Sequence, residues 1–330
     1  MTNLIFFDNS YLSAAAELLA ARHRQDRVHH PLLPSRFGEA ENALRSLESL
    51  RRQRTGGIAA VEDDRLRGYL IGKASENALM GRTVWFTPES YALAADASPE
   101  LLRDLYAAQA EAWVEQGYFN HYVMAPAGSP LLDAWLQLGF AYQQVYALLD
   151  LHDVEDAPPV ANLEFRQAEP DDGPELAAIA HLTAGHQTRS PVFAPAPPDY
   201  IDELRSGYAE LAGDSEAAAT WLARRDGELV GIQSYFADPA SDDNLLSNEG
   251  WVELASAATL PVLRGTGIGR ALTARGLQWA TGAGYSVCLT DWRVANLPAS
   301  RFWPRRGFIP VYYRLERRID PRVLWARVAG

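Results

Sequence analysis

Residues 259–269 of this 330-residue chain read TLPVLRGTGIG, and this stretch decides the fold of the second half. It follows the apolar run Trp251–Leu260, which predicts a strand, and it opens the helical pattern Ile268–Thr281. Glycines allow the backbone to turn tightly and to approach a ligand closely. The first N–H groups of the following helix then point at one position, which favours an anion such as a phosphate. The stretch therefore predicts a phosphate-binding turn between a strand and a helix.

Other phosphate-binding motifs fit this stretch less well. A dinucleotide fingerprint needs the spacing G-x-G-x-x-G and an acidic residue about 20 positions later. Here Gly269 is followed by Arg270, and the next candidate acid in that range is Asp291, on the following predicted strand. The nucleotide-binding pattern G-x-x-x-x-G-K-[ST] is also absent from the sequence. An ordinary tight turn remains as the structural alternative.

A second motif follows at residues 296–308, which read NLPASRFWPRRGF. Together the two stretches resemble two signatures of the GNAT superfamily of N-acetyltransferases, R/Q-x-x-G-x-G/A and N-x-x-A-x-x-x-Y-x-x-x-G-F. The resemblance covers the second half of the chain and reaches the first half only through its architecture. It implies an enzyme that transfers an acetyl group from acetyl-CoA to a primary amine, in a small molecule or peptide, by direct attack in a ternary complex. A non-catalytic acyl-CoA sensor, or acyl transfer to a hydroxyl or from a longer acyl-CoA, remains an alternative.

The resemblance also implies roles for individual residues of the acetyl-CoA site. The backbone N–H groups of Gly265 to Arg270 are expected to bind the pyrophosphate, and the end of the strand is expected to pair with the pantetheine amides. Asn296 is expected to bind the cofactor or to fix the next helix. Ser300 and Arg301 are expected to lie near the pantetheine or the phosphates. For Arg301, a position on a solvated helix surface is an equal alternative. The predicted cofactor-binding set is Thr259, Leu260, Val262, Arg264, Gly265, Thr266, Gly267, Ile268, Gly269, Arg270, Asn296 and Ser300.

Glu253 is the candidate general base, because attack on a thioester requires a neutral amine and most amines are protonated at pH 7. It stands eleven residues before Arg264, a spacing similar to that of the general-base glutamate in the histone-acetylating branch of the family. Glu249 is a weaker alternative. The structural alternative is a strand glutamate that faces solvent or pairs with an arginine.

The sequence leaves the general acid open. Trp303 stands where the GNAT pattern has a tyrosine, and an indole N–H donates a hydrogen bond but does not act as a proton-transfer acid near pH 7. Tyr312 is the candidate substitute, with Tyr313 and Tyr285 as alternatives. Each of these residues is also a normal aromatic residue of a sheet. The thiolate can equally leave unassisted or take a proton from water.

The two halves of the chain repeat one order of predicted elements, β–α–ββ–β–α–β–α–β. This order predicts an α/β (α+β) protein with two tandem GNAT-like domains, each a mixed, mostly antiparallel twisted sheet flanked by helices. In the first half, residues 94–101 read AADASPEL where the glycine loop belongs, so a degenerate domain without cofactor is expected. The predicted bounds are 1–151 for this domain, 152–162 for a linker, 163–318 for the catalytic domain and 319–330 for a C-terminal tail.

The composition bounds the class of function. The net charge of −12 and the pI near 5.1 oppose binding to nucleic acid or to an anionic membrane. No apolar run approaches the length of a membrane span. Cys288 is the only cysteine, which fits a cytoplasmic location, and the bias toward arginine and alanine suggests a bacterial source. His181 and His186 are poorly spaced for metal ligation, so no metal is expected.

The acceptor is indicated only by charge. Residues 238–249 include Asp238, Asp242, Asp243 and Glu249, which would attract a polyamine, an aminoglycoside or a peptide amine. A solvated acidic loop is the alternative interpretation. The expected partner is a small-molecule amine acceptor, and the sequence leaves monomer and homodimer undecided.

Overall fold

The computed structural model describes residues 2–152, 154, 160–213, 218–238, 240–241 and 244–326. Most of the predicted linker and two residues of the acidic stretch, Asp242 and Asp243, lie outside the described residues. The helices are α1 (Leu12–His29), α2 (Ala40–Arg51), α3 (Glu100–Glu115), α4 (Leu131–Gln137), α5 (Gly173–Ile179), α6 (His181–Gln187), α7 (Pro198–Glu210), α8 (Ile268–Gly282) and α9 (Leu297–Phe302). The strands are β1 (Asn3–Phe6), β2 (Thr55–Glu62), β3 (Arg65–Asn77), β4 (Gly81–Phe86), β5 (Tyr91–Leu93), β6 (Asn120–Pro126), β7 (Ala141–Asp150), β8 (Glu164–Gln167), β9 (Ala218–Arg225), β10 (Glu228–Asp238), β11 (Trp251–Thr259), β12 (Val287–Arg293) and β13 (Ile309–Arg318).

The chain folds into two compact units. The first contains residues 1–145, 240–247 and 310–330, and the second contains residues 146–239 and 248–309. In the first unit the strand order is β1-β2-β3-β4-β6-β13, with β5 beside β3. The strands β4 and β6 are parallel, and the other neighbours are antiparallel.

The last strand of the chain belongs to the sheet of the first unit. β13 pairs with β6 from Tyr312↔Pro126 to Arg318↔Asn120. The sequence-based domain bounds follow chain order and keep this strand with residues 163–318. Those bounds stay a prediction, and the compact units divide the chain differently at this strand.

Two histidines of the first unit are fully buried. His121, on β6, has Nδ1 2.7 Å from the Tyr106 hydroxyl and Nε2 3.2 Å from the carbonyl oxygen of Tyr118. His23, on α1, has Nε2 2.7 Å from the carbonyl oxygen of Pro34. Since a carbonyl oxygen only accepts, both rings carry a hydrogen on Nε2. Burial lowers the pKa of each imidazole from 6.5 to about 4.

These histidines predict a loss of stability in mild acid. Between pH 6.5 and about 4 the unfolded chain binds a proton at each histidine that the folded chain does not bind. The contribution of each neutral histidine to the free energy of unfolding is therefore fully present above pH 6.5 and is lost as the pH falls toward 4. The shift for His121 corresponds to roughly 3 kcal/mol. We expect His121→Gln to reduce the slope of unfolding free energy against pH in urea titrations between pH 7.5 and 4.5. The control, His181→Gln at an exposed helical histidine, should keep the wild-type slope, and an unchanged slope in His121→Gln would contradict the assignment.

The second unit has the strand order β12-β11-β10-β9-β8. β11 and β12 are parallel, and the remaining neighbours are antiparallel. Ile268 and Leu272 of α8 pack against Ala223 and Val230 of the sheet. On the other face, α5 and α7 cover an apolar layer that contains Leu176, Tyr208, Leu222 and Ile232. The sheet thus lies between α8 and the pair α5 and α7, and we call the second surface the α7 face.

A close approach fixes α8 on its sheet. A Cβ atom at Gly276 would stand 2.1 Å from the ring of Tyr235, so only glycine leaves room for that ring. The Tyr235 hydroxyl donates to Gln233 Oε1 (2.8 Å), and Gln233 Nε2 donates to Thr273 Oγ1 (2.8 Å). These buried contacts from β10 to α8 hold the start of the helix beside the end of β11.

Candidate active site

The turn before α8 has the backbone that a phosphate-binding loop requires. Gly265 and Gly267 adopt φ angles of 81° and 94°, in the left-handed region that favours glycine. Gly267 is the residue from which α8 begins. The first N–H groups of a helix have no intrahelical partner, and here they follow an exposed glycine turn. The sequence Gly265-Thr266-Gly267 therefore presents backbone donors and the positive end of a helix dipole to a ligand.

The end of β11 leaves one of its edges open. Its parallel pairing with β12 runs from Trp251↔Val287 to Leu254↔Thr290 and stops there among the described strands. On its other edge, β11 stays paired with β10 up to Thr259↔Gly231. A β-bulge at Ala255 marks the point where the neighbour is lost, because Leu254 and Ser256 face consecutive residues of β10. Residues 256–259 therefore offer backbone groups to an extended ligand containing amides.

A cavity of about 340 Å³ joins the glycine turn to this open edge. Its walls come from α6, β10, β11, the turn, α8 and α9, all within the second unit. Eight residues of the predicted cofactor-binding set line it: Thr259, Arg264, Gly265, Gly267, Ile268, Gly269, Arg270 and Asn296. The structure thus brings the two sequence motifs together around one space.

The remaining members of the predicted set lie outside that wall. The N–H of Leu260 donates to the carbonyl oxygen of Val230 (2.9 Å), and the side chain of Val262 is 86% exposed. The Thr266 hydroxyl donates to the carbonyl oxygen of Leu263 (2.8 Å). The Ser300 hydroxyl donates to the carbonyl oxygen of Val294 (2.8 Å). The side chain of Leu260 packs against the apolar cluster between α8 and the sheet, whereas the other three serve the local backbone or face solvent. The expected contacts of all four with the cofactor stay a prediction.

His186 connects the two motifs across the cavity. Its Nε2 lies 3.3 Å from Asn296 Oδ1, and its Nδ1 lies 3.5 Å from Arg264 Nη1. Asn296 Oδ1 also accepts from the N–H of Ala299 (3.4 Å), which caps α9. A neutral imidazole with its hydrogen on Nε2 satisfies both contacts, because it donates to Asn296 and accepts from Arg264. From the sequence, His186 was considered only as a possible metal ligand, and its position between the two motifs was not predicted.

The wall contributed by α6 had no signal in the sequence. Leu182, Thr183 and His186 face the cavity from this short helix, and Gln233 does so from β10. These residues lie well before the glycine turn in the chain, and only the packing of the unit brings them to it. A helix of seven residues is too short for a helical period to show which of its sides would face a ligand.

The two predicted catalytic residues lie in different surroundings. Glu253 is half-buried on β11, opposite Phe236 of β10 and Leu289 of β12. Tyr312 is fully buried on β13 in the first unit, where burial raises the pKa of its phenol well above 10. The structure does not place Tyr312 among the described residues that line the cavity. Its assignment as the acid gains no support from this position.

The other candidates for the acid are also placed. Trp303 lines the cavity and is 6% exposed, with its ring against Phe302 and Phe308. Tyr313 packs edge-on against Tyr142 in the first unit, and Tyr285 packs against Trp279 at the end of α8. Trp303 therefore stands in the cavity itself, and the two tyrosines pack as ordinary aromatic residues.

The first unit closes the corresponding gap with its own side chains. Its parallel pairing of β4 with β6 ends at Phe86↔Val123, and the Tyr91 hydroxyl then donates to the carbonyl oxygen of Met124 (2.9 Å). Buried Arg22 donates to the carbonyl oxygens of Pro88 (2.6 Å) and Tyr91. These three carbonyl oxygens are thus already bound by side chains of the same unit.

The family model described as acetyltransferase (GNAT) family matches residues 185–308. Residues 185–308 form a GNAT domain. The matched range contains the glycine turn, both edges of β11 and the Asn296 motif, so the resemblance seen in the sequence is confirmed. The family transfers acyl groups from acyl-CoA, and the GNAT domain is accordingly an acyltransferase domain. No curated protein matches the chain.

Solved structures extend the GNAT fold over nearly the whole chain. A GCN5-related N-acetyltransferase from Sphaerobacter thermophilus aligns with a TM-score of 0.60 and 17% identity, covering 97% of this chain and 96% of the other. A tandem GNAT protein from the clavulanic acid biosynthesis pathway aligns with a TM-score of 0.54 and 14% identity, covering 97% and 99%. At these identities the likeness concerns the fold alone. The predicted fold class, two tandem GNAT-like domains with mixed, mostly antiparallel sheets, is confirmed.

The described residues contain neither a metal-binding cluster nor a membrane-spanning helix. No group of three or more His, Cys, Asp or Glu side chains among them could hold a metal ion. No helix within the described ranges is long and apolar enough to cross a membrane.

Proposed function

We propose that the GNAT domain transfers an acetyl group from acetyl-CoA to a primary amine of a small molecule or peptide. The observation that carries this proposal is the cavity that joins the glycine turn of α8 to the open edge of β11. Backbone donors at one end suit a pyrophosphate, and an unpaired strand edge suits the amides of a pantetheine arm. A nucleoside phosphate without such an arm would leave the open edge unused.

The residues of the cavity divide the work of binding in this proposal. The N–H groups that follow Gly265 and Gly267 hold the pyrophosphate, and residues 256–259 hold the pantetheine arm through the backbone. Arg264 and Asn296, held by His186, enclose the same space from two sides. This arrangement directs the thioester toward the bulge at Ala255 and so toward Glu253. Glu253 takes a proton from the amine as it attacks the thioester carbonyl.

A sensor that binds acyl-CoA without turnover is the second candidate. Trp303 favours it, because this buried indole occupies the cavity at the position of the family's tyrosine. Acyl transfer to a hydroxyl or from a longer acyl-CoA is compatible with the same cavity. Within the acyltransferase class, we propose acetyl-CoA as the donor and an amine as the acceptor.

We also propose a cellular location and binding partners for the enzyme. The net charge of −12 and the single cysteine suit a cytoplasmic protein that binds neither nucleic acid nor membrane. The acceptor is a small cationic amine, and acetyl-CoA is the acyl donor, without a metal. The first domain binds no acyl-CoA, since Arg22 and Tyr91 already use the backbone groups at its gap.

A binding and turnover assay tests the proposal. Acetyl-CoA is titrated into the protein by calorimetry, and thiol release is then followed with spermidine, kanamycin and a lysine-containing peptide as acceptors. We expect one acetyl-CoA per chain and amine-dependent thiol release. Binding without release on any amine would favour the sensor. Faster release with butyryl-CoA than with acetyl-CoA would shift the donor to a longer acyl group, and absence of binding would contradict both candidates.

A further inference from the structure

A row of hydroxyl groups crosses the α7 face of the second unit. Ser234, on β10, stands directly opposite Thr220 of β9 and Ser256 of β11. Thr220 Oγ1 donates to Ser234 Oγ (3.1 Å), and Tyr208 of α7 places its hydroxyl 2.5 Å from Ser256 Oγ. Thr220, Ser234 and Tyr208 are 6%, 0% and 9% exposed. Three members of the row are buried, and the fourth, Ser256, is half-buried on the strand with the open edge.

Packing alone does not require these hydroxyls. Their neighbours on the α7 face are apolar, among them Leu176, Leu222 and Ile232. A buried hydroxyl stabilises little even when it is hydrogen-bonded, and it costs free energy when it is not. Apolar residues of similar size would fill the same layer. The hydroxyl pair of Tyr208 and Ser256 on β11 therefore points to a chemical use.

The position of Ser256 suggests that use. It follows the bulge at Ala255 and precedes Ala257, the first residue of β11 in the cavity wall. Its cross-strand partner Ser234 lies two residues from Phe236, the partner of Glu253. Alternate residues of β10 point to the same face, so Ser256 and Glu253 share the α7 face. The proposed base and a hydroxyl pair therefore flank the place where the strand opens.

Thr183 and Thr259 also line the cavity, but no described hydrogen bond joins either hydroxyl to a tyrosine, and the remaining candidates are already used or lie outside the cavity wall. Ser300 donates to the carbonyl oxygen of Val294, and Tyr312 belongs to the first unit. Trp303 carries an N–H that does not transfer a proton near pH 7. We propose that Ser256, backed by Tyr208, donates the proton that the leaving thiolate of CoA requires. This inference rests on the proposed acetyl transfer and names the acid that the sequence left open.

The proton transfers balance in one turnover. Glu253 first takes a proton from the ammonium form of the acceptor and releases it to solvent, and the neutral nitrogen then bonds to the carbonyl carbon while a second proton passes to the Glu253 carboxylate. The C–S bond breaks, its electron pair stays on sulfur, and sulfur takes the proton of Ser256 Oγ. In the same step Tyr208 passes its own proton to Ser256 Oγ, so that no serine alkoxide forms. Tyr208 then recovers a proton from solvent, and Glu253 releases one to solvent. Amine and thioester become amide and thiol with no other reactant.

Substitutions of the pair test the assignment with the full-length protein. Tyr208→Phe and Ser256→Ala should each lower kcat roughly 100-fold, as loss of a general acid does. The dissociation constant for acetyl-CoA should stay within about twofold, because neither hydroxyl binds the cofactor in this scheme. The double variant should be no slower than the slower single one, since both groups deliver the same proton. Ser256→Thr, which keeps a hydroxyl, should retain most of kcat.

Matched controls come from the same helix. Tyr200→Phe and Ser206→Ala make the same chemical changes on α7 away from Ser256, and both should behave as wild type. The inference fails if Tyr208→Phe and Ser256→Ala keep wild-type kcat on an acceptor that the wild type acetylates. It also fails if kcat, acetyl-CoA affinity and Tm fall together, because that pattern marks a structural role. A wild type that binds acetyl-CoA but acetylates no amine would overturn the proposed function itself, and this inference with it.

Discussion

Gly267→Glu should weaken acetyl-CoA binding by roughly 100-fold, or about 2.7 kcal/mol. Gly267 has a φ of 94°, which costs a residue with a side chain roughly 1 kcal/mol or more. The added carboxylate would stand at the positive end of α8 and compete with the pyrophosphate for the same backbone donors. A Cβ there meets only Val160 Cγ2 at 3.8 Å, so the fold itself has room for the side chain. Calorimetric titration of acetyl-CoA measures the effect.

The other end of the same helix offers a matched control. Gly284 has a φ of 89° and is exposed, and a Cβ atom at this position would meet no other atom within 4 Å. Gly284→Glu therefore repeats the backbone strain and the added charge away from the cavity, and it should bind acetyl-CoA as wild type does. Equal affinities for Gly267→Glu and wild type would remove the phosphate-loop assignment.

The parts of the site that depend on neighbouring residues were predictable from the sequence. A glycine turn between an apolar strand and a helical period determines its own conformation, because Gly265 and Gly267 supply φ angles that other residues avoid. The same holds for the cap that Asn296 makes at α9. The conformation of both motifs depends on local residues, whereas their position around one cavity depends on the fold of the unit.

The parts that depend on pairing between distant segments were not predictable. Simple alternation along β11 would place Ala255 and Ala257 on the face of Glu253. The bulge at Ala255 shifts the register by one residue, so Ser256 takes that face instead. No residue type in the sequence marks this bulge, and the hydroxyl row was therefore not predictable from the sequence.

Tyr312 illustrates the same limit at the scale of the sheet. Chain order assigns the closing strand to the second half, whereas β13 pairs with β6 and places Tyr312 opposite Pro126 in the first unit. Two similar halves contain similar strands, and the sequence does not say which sheet each closing strand will join. Long-range packing makes that choice, and with it decides in which unit Tyr312 is buried.

Glu253→Gln should lower kcat at neutral pH by roughly 100-fold while acetyl-CoA binding stays unchanged. The substitution keeps the size of the side chain and removes its ability to take a proton. Glu253 lies half-buried before the bulge, whereas the residues of β11 that line the cavity begin after it, so we expect binding and catalysis to be separated along one strand. Steady-state rates and calorimetry on the same preparation measure both effects.

The pH dependence distinguishes loss of a base from a general disturbance. Without the base, reaction waits for amine that is already neutral, so kcat/KM of Glu253→Gln should rise about tenfold per pH unit below the pKa of the acceptor, near 10 for an alkyl amine. Glu249→Gln is the control, because Glu249 is exposed and precedes β11. If Glu249→Gln loses kcat and Glu253→Gln does not, the base is Glu249. If neither loses it, the amine attacks without a protein base, and the α7 face serves the leaving group alone.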